Sequence, residues 1–306
     1  MFNKIAPLAI VIAGCMWGSV GLFVRYLESH GLSSIAIVET RMLGAFIIAL
    51  IGVLIFRRDA LKIKLKDCWY FIGTGIVSML LFNYLYNQTV SLVTLSLAAT
   101  LLCTAPIFVL LMSAILFREK MTSIKLMAVT LAVIGCVLVS GLFENAIAFS
   151  LAGILLGMAA SFGYALYSIF TRFAMNKGYD SLTINVYSFL FASLGGAIFT
   201  DFGSITLALK ESPVYFGSFL LLHAVIASVA PYLLFTWGMK YVDTGRASIL
   251  SSCEPVAATL FGLFIYQEVP TLFAIIGILL VLGAITLLNL PRKQAVLVQS
   301  QQYHEQ

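Results

Sequence analysis

The chain has 306 residues, of which 61% are hydrophobic and only 10% charged, where a soluble domain carries roughly 25% charged. A soluble fold cannot hide so much apolar surface, because a domain of this size still exposes a large share of its area; a bilayer removes that constraint. The formal net charge of +5 is too small to point to nucleic acid, and its placement along the chain says more than its sum.

Ten segments reach the roughly 20 mainly apolar residues that a helix needs to cross the hydrocarbon core. In chain order they are Ile5–Val24, Ser34–Phe56, Cys68–Asn87, Leu92–Phe117 and Ile124–Leu142, then Phe149–Phe173, Leu182–Phe202, Val214–Gly238, Ala247–Tyr266 and Leu272–Leu290. The first is preceded by Lys4, as in a signal peptide, but it is a full span followed by others and reads as a retained helix. The connections leave no room for a soluble domain, and the polar tail 292–306 reads as a disordered end. Cys15, Cys68, Cys103, Cys136 and Cys253 show no metal-ligand spacing and read as small apolar side chains.

Basic residues set the orientation. With the N-terminus in the cytoplasm, 15 of the 18 lysines and arginines fall on the inner side, and only Arg25, Arg41 and Lys210 do not. Both termini are then cytoplasmic. A shift of 149 residues superimposes Pro106 on Pro255, Glu119 on Glu268 and Thr122 on Thr271. A shift of 147 sets Trp17 on Tyr164 and Arg25 on Arg172. Five helices per repeat force opposite orientations on the two halves, which is the inverted-repeat design. The expected organisation is residues 1–145 as the first half, 146–291 as the second, inverted half, and 292–306 as a tail.

Candidate binding residues follow the same order. In helix 1, Gly14, Gly18 and Gly21 form a small-residue face for close packing, and Trp17 beside them either stacks on a substrate or fills space. In helix 2, Glu39 and Arg41 lie roughly 8 to 10 Å from the outer end and point to different faces; Arg41 either grips a substrate carboxylate, or snorkels to the headgroups or packs against a neighbouring helix terminus. Helix 3 carries Asn83, Tyr84 and Asn87 on more than one face, so part of this cluster must face protein or a wet cavity, an interfacial belt being the alternative. Thr100 and Thr104 share a face of helix 4, Tyr164 and Ser168 one of helix 6, Ser248 and Ser252 one of helix 9; a polar seam competes here with back-bonding of each hydroxyl to its own helix. His223 in helix 8 is either a proton carrier or a hydrogen-bonded interior residue.

Glu254 is the sharpest candidate, because an ionisable group inside a span is costly. It lies about 12 Å from the inner end of helix 9 and precedes Pro255, which has no amide proton and breaks the helix. It reads either as a group that binds a proton, cation or amine, or as a structural carboxylate satisfying the break. Glu119 and Glu268 end helices 4 and 9 at opposite faces as structural anchors. The basic run Arg57 to Lys66 reads as a topology determinant and a contact for anionic lipid heads.

Several of these residues carry a family resemblance: Arg25 at the end of a small-residue first helix, Arg41, Ala105-Pro106 with Glu119, Glu254-Pro255-Val256 with Glu268, and Gly135, Gly277 and Gly283. In this order and in both halves, the chain resembles the EamA-type members of the drug/metabolite transporter superfamily. The resemblance implies an all-α integral membrane fold of ten transmembrane helices, two inverted five-helix repeats around a central cavity lined by helices 1, 3, 4, 6, 8 and 9. Helices 2, 5, 7 and 10 then lie further out, which favours snorkelling or packing of Arg41 over a grip on substrate.

The resemblance further implies small metabolites, amino acids or drugs as substrates, often exported. No GxxxxGK[ST] phosphate loop occurs, which leaves proton or sodium coupling, or passive exchange. An enzyme acting on lipid needs clustered reactive residues, and His30, His223 and His304 are scattered. A channel needs repeated filter motifs. The expectation is a secondary transporter of the bacterial inner membrane, monomer or homodimer, without cofactor or metal. It carries a neutral or zwitterionic solute by alternating access; the lipid enzyme and the channel are the alternatives.

Overall fold

The computed structural model describes residues 2–93, 95–143 and 150–289; the expected tail and the boundary between halves lie outside them. Among the described residues the protein is all helical. Eight helices are long and apolar enough to cross a membrane. They are α1 (Phe2–Ser29), α2 (Ser34–Phe56), α3 (Leu65–Val90), α4 (Leu97–Phe117), α6 (Leu151–Asn176), α8 (Pro213–Gly238), α9 (Thr244–Tyr266) and α10 (Leu272–Asn289). The apolar helices α5 (Ser123–Val139) and α7 (Ser181–Gly196) are shorter, at 17 and 16 residues.

Most helix starts are dictated locally. Ser33, Thr122, Ser150 and Asp180 each accept a hydrogen bond from the backbone N–H three residues on, which satisfies one orphan donor of the first turn. The seventh expected span is longer than the helix found. Gly195 and Gly196, weak helix formers, close α7, and a separate helix over Phe202–Glu211 starts where the Asp201 carboxylate accepts from the Gly203 N–H at 2.9 Å.

Two spans are broken in mid-course. The helix of α4 stops at Leu102 and resumes at Ala105-Pro106. That of α9 stops at Ser251 and resumes at Glu254-Pro255. Proline cannot donate to the preceding turn and clashes with it, so each half contains one break at its matched proline. The same correspondence holds at the far ends. Arg118 (φ 55°) and Gln267 (φ 59°) are the two non-glycine residues with positive φ among those described. The next N–H in each case, Glu119 or Glu268, bonds back to Ser113 or Gly262. Wider π turns interrupt α3 at Gly73–Leu80 and α8 at Val225–Val229.

Packing joins the two parts of the chain throughout. Helix α1 lies on α8 and α9 as α6 lies on α3 and α4; α2 lies on α8 as α7 lies on α3; and α4–α9, α2–α7 and α5–α10 pair directly. Glycines set the closest of these approaches. A Cβ on Gly135 would sit 2.7 Å from the Gly277 carbonyl, drawing α5 onto α10. A Cβ on Gly14 would sit 2.8 Å from the Ser251 carbonyl, and one on Gly18 2.6 Å from that of Glu254. The expected small-residue face of α1 therefore rests on the break in α9, whereas Gly21 has nothing within 4 Å.

The bundle face that carries Phe2 is tightly closed. The Glu119 carboxylate accepts from the Thr244 and Gly245 N–H groups at 2.7 and 3.1 Å, capping α9. Lys125 lies 2.7 Å from Asp243 and 3.7 Å from Glu119. From α6, Arg172 donates to Thr244 Oγ1 and to the Val242 carbonyl at 2.8 and 2.6 Å. At the opposite face Arg25 meets Glu268 at 2.8 Å and sits over the Tyr266 ring, with both charged side chains more than half exposed.

Substituting Gly18→Val should force α1 away from α9. Overpacking of this kind costs about 1–3 kcal/mol, so thermal unfolding in detergent is expected several degrees below wild type, with Gly21→Val unchanged. Equal melting temperatures for all three proteins would contradict the close-contact role of Gly18.

Candidate functional site

A small void lies in the middle of the bundle. Trp17, Ser78, Met79, Phe82, Tyr164, Tyr167, Ser168, Tyr232, Phe235, Ser248 and Ser251 line it, residues from α1, α3, α6, α8 and α9. Its volume is about 20 Å³, the room of a single water. Its walls are aromatic. Trp17 meets Tyr232 at 5.0 Å and Phe235 at 5.3 Å, Tyr167 meets Tyr232 at 5.0 Å, and Phe82 meets Tyr164 at 5.2 Å. Trp17 Nε1 and Ser78 Oγ are buried and find no partner among the described residues.

Glu254 borders this aromatic cluster. As the first residue of the second half of α9 it stands at a helix N-terminus, where the backbone dipole favours a negative charge. Tyr164 donates its hydroxyl to Glu254 Oε2 at 3.1 Å, so the carboxylate is tied across to α6. Arg41, from α2, is 8% exposed and lies within electrostatic reach of both Glu254 and Tyr232. No residue of α2 lines the void, yet Arg41 is buried where α2 packs on α7 and α8. That burial accords with packing against neighbouring helices, one of the readings open to Arg41. Glu39, two residues earlier, faces α7 instead and accepts from Ser193 at 2.6 Å. That separation is the one expected from their spacing.

The other expected residues divide. Trp17, Tyr164, Ser168 and Ser248 line the void. Ser252 donates to the Ser248 carbonyl at 3.2 Å and Asn83 to that of Met79, both back-bonds to their own helix. Tyr84 is half exposed, and Asn87 is partly buried outside the void lining. Thr100 and Thr104 do not share a face: the break at Cys103 turns Thr100 onto Ser140 of α5 and Thr104 onto Ser161 of α6. His223 is 1% exposed and stacks on Phe23 at 4.9 Å, and neither ring nitrogen has a partner among the described residues.

Sequence reasoning missed Tyr167, Tyr232 and Asn185. Tyr167 donates to Asn185 Oδ1 at 3.2 Å, and Asn185 donates in turn to Thr236 Oγ1 at 2.8 Å, which links α6, α7 and α8. Tyr167 lies three residues from Tyr164 on the same helical face, a signal that was present. Tyr232 had none, because its direction depends on the π turn before it. Among the described residues no cluster of His, Cys, Asp and Glu could hold a metal ion.

A crystal structure of another protein, 19% identical, superimposes with a TM-score of 0.74 over 92% of this chain and 95% of its own, a likeness of fold. An uncharacterized transporter of Archaeoglobus fulgidus is 28% identical over 90% of this chain and 93% of its own. The uncharacterized transporter YwfM of Bacillus subtilis is 25% identical over 96% and 97%. The uncharacterized inner membrane transporter YicL of Salmonella typhimurium is 25% identical over 94% and 96%. The model of the EamA-like transporter family matches residues 4–141 and again 151–290, and on that double match the chain belongs to the EamA-like transporter family.

Proposed function

We propose that this transporter is a secondary carrier that moves a small zwitterionic or neutral organic solute by alternating access, with export as the physiological direction. In this reading ten spans form two inverted halves, residues 1–145 and 146–291, in a bacterial inner membrane. Both termini are cytoplasmic, and the chain is a monomer or homodimer. The basic-residue bias supports the orientation, and the name of the Salmonella relative supports the compartment. The matched helix breaks, αL turns and reciprocal packing support the inversion.

The observation that carries the substrate reading is the Glu254 carboxylate, bonded to Tyr164 beside an aromatic wall, with the buried Arg41 guanidinium within electrostatic reach and no ion pair between the two among the described residues. A carboxylate at a broken helix end binds an ammonium group or a proton, a guanidinium binds a carboxylate, and Trp17, Tyr164 and Tyr232 take the apolar remainder. Such a site suits one positive and one negative group on a single small molecule better than a polyanion. His223, buried between Phe23 and α2, stands as a reserve proton carrier. Ser168 and Ser248 offer hydroxyls to the solute; Asn83, Tyr84, Asn87, Thr100, Thr104 and Ser252 are structural here and reach a solute only if the helices re-pack.

The water-sized void and the closed face around Glu119 fit an occluded conformer. Entry then requires the halves to rock apart at the opposite face, where Arg25–Glu268 is the weaker, exposed contact.

The test is flux into proteoliposomes across a panel of amino acids, organic acids, sugars and cationic drugs, with and without a pH gradient. Saturable, counterflow-competent flux of an amino-acid-like solute is expected; non-saturable flux would favour a channel. Glu254→Gln should abolish pH-driven accumulation while exchange partly survives, and undiminished accumulation returns Glu254 to a structural role. Arg41→Gln should raise KM at least tenfold for solutes bearing a carboxylate, about the 1.5–3 kcal/mol of a charged hydrogen bond, and leave amine-only solutes unchanged. Equal losses for both classes would assign Arg41 to packing.

A further inference from the structure

A second and larger cavity, about 460 Å³, opens at the face that carries Phe2, between the α2–α3 connection and the α6–α7 connection. Arg57, Lys62, Lys64, Lys66 and Lys177 line it, with Asp59, Asp67 and Asp180. The carboxylates are already engaged. Asp67 is buried and accepts from the Tyr179 hydroxyl at 2.7 Å, and that hydroxyl accepts from the Lys64 N–H at 3.1 Å. Asp180 caps α7 and pairs with Arg57 at 3.2 Å, and Arg57 also reaches Asp59 at 4.0 Å. The four lysines are exposed and enter no ion pair among the described residues. The loop backbone is thus tied down, and the cleft carries five cationic side chains against three carboxylates, of which Asp67 is held by Tyr179 and Asp180 by Arg57.

Chain neighbours of the lining residues are exposed and apolar. Leu65 is 90% exposed, Phe56 80%, and Trp69 48%. Leu65 lies between Lys64 and Lys66, and Trp69 has the amphipathic ring that settles at a membrane–water interface. A soluble phosphate would use the lysines and leave this apolar lip idle. A molecule with an anionic phosphate head and acyl chains uses both. We propose that the cleft between the α2–α3 and α6–α7 connections is a specific binding site for an anionic phospholipid, its phosphate held by Lys62, Lys64, Lys66 and Lys177 and its chains laid over Phe56, Leu65 and Trp69. A lipid held there bridges connections from the two halves on the face that the Glu119 contacts close.

The experiment is native mass spectrometry of the delipidated, detergent-solubilised full chain, titrated with dioleoyl phosphatidylglycerol, with dioleoyl phosphatidylcholine and with soluble glycerol 3-phosphate. It needs no transport assay, so it stands or falls apart from the carrier reading. Preferential retention of phosphatidylglycerol over phosphatidylcholine is expected. Near an anionic lipid each lysine contributes about 1 kcal/mol, or roughly fivefold. The triple variant Lys62→Gln, Lys64→Gln, Lys66→Gln should therefore bind on the order of 100-fold more weakly. Lys177→Gln alone, on the other connection, should lose about fivefold and serves where the triple variant does not fold. Equal retention of both lipids, full retention by Lys177→Gln, or glycerol 3-phosphate binding as tightly as the lipid would overturn the proposal.

Discussion

A bilayer offers no water to an interrupted backbone, yet α4 and α9 are both interrupted, at Cys103–Thr104 and Ser252–Cys253. The rest of the structure follows from how those interruptions are satisfied. Thr104 donates to the Leu101 carbonyl at 2.7 Å, and the Cys136 thiol of α5 reaches the Ser252 carbonyl at 3.6 Å. The Cys253 thiol reaches the Val11 carbonyl of α1 at 3.3 Å. Contacts this short across helices need small residues at the crossing, and Gly14 and Gly18 supply them. Once the break in α9 is seated on α1, its free helix N-terminus accommodates a carboxylate, which Glu254 provides.

The two halves share a plan but not a chemistry. At the position of α4 equivalent to Glu254 stands Ala105, and the equivalent of Cys253 is Thr104. Helix α4 therefore carries a neutral break sealed by Ser161 at 2.9 Å, while α9 carries a charged one held by Tyr164. The same asymmetry marks the ends. Glu119 is nearly enclosed and caps a helix, whereas Glu268 lies in the open with Arg25. Enclosed, hydrogen-bonded charges are costly to separate, while exposed ion pairs contribute about 0–1 kcal/mol. The face bearing Glu119 is on this ground the more firmly shut.

Much of this was legible in the sequence. Span positions came from apolar length; the repeat, read from Pro106 with Pro255 and Glu119 with Glu268, and the site, read from one carboxylate beside one proline, stand as proposals. What was not legible depended on changes of helical phase. A break at Cys103 turns Thr100 and Thr104 to different neighbours, and the π turn in α8 aims Tyr232 at Trp17. Neither rotation follows from a 3.6-residue period. For Arg41 the sequence left snorkelling and packing both open, and its burial reflects the cost of leaving a guanidinium in hydrocarbon. That cost favours an inward position whenever a partner charge such as Glu254 is within reach. Gly195-Gly196 and the Asp201 cap, by contrast, were ordinary stop and start signals that a count of apolar length passed over.

The central claim is that the two halves rock about the broken helices, opening one face as the other closes. Spin-label distances in a cysteine-free background, replacing the five free cysteines, test it most directly. One label pair would join Arg118 to Lys240 at the closed face and another Arg25 to Gln267 at the opposite face, each read in lipid nanodiscs at two pH values and with a transported solute. The account predicts two distance populations at each face, with the long distance at one face matched by the short distance at the other. A single unchanging distance at both faces, or widening at both together, would contradict it.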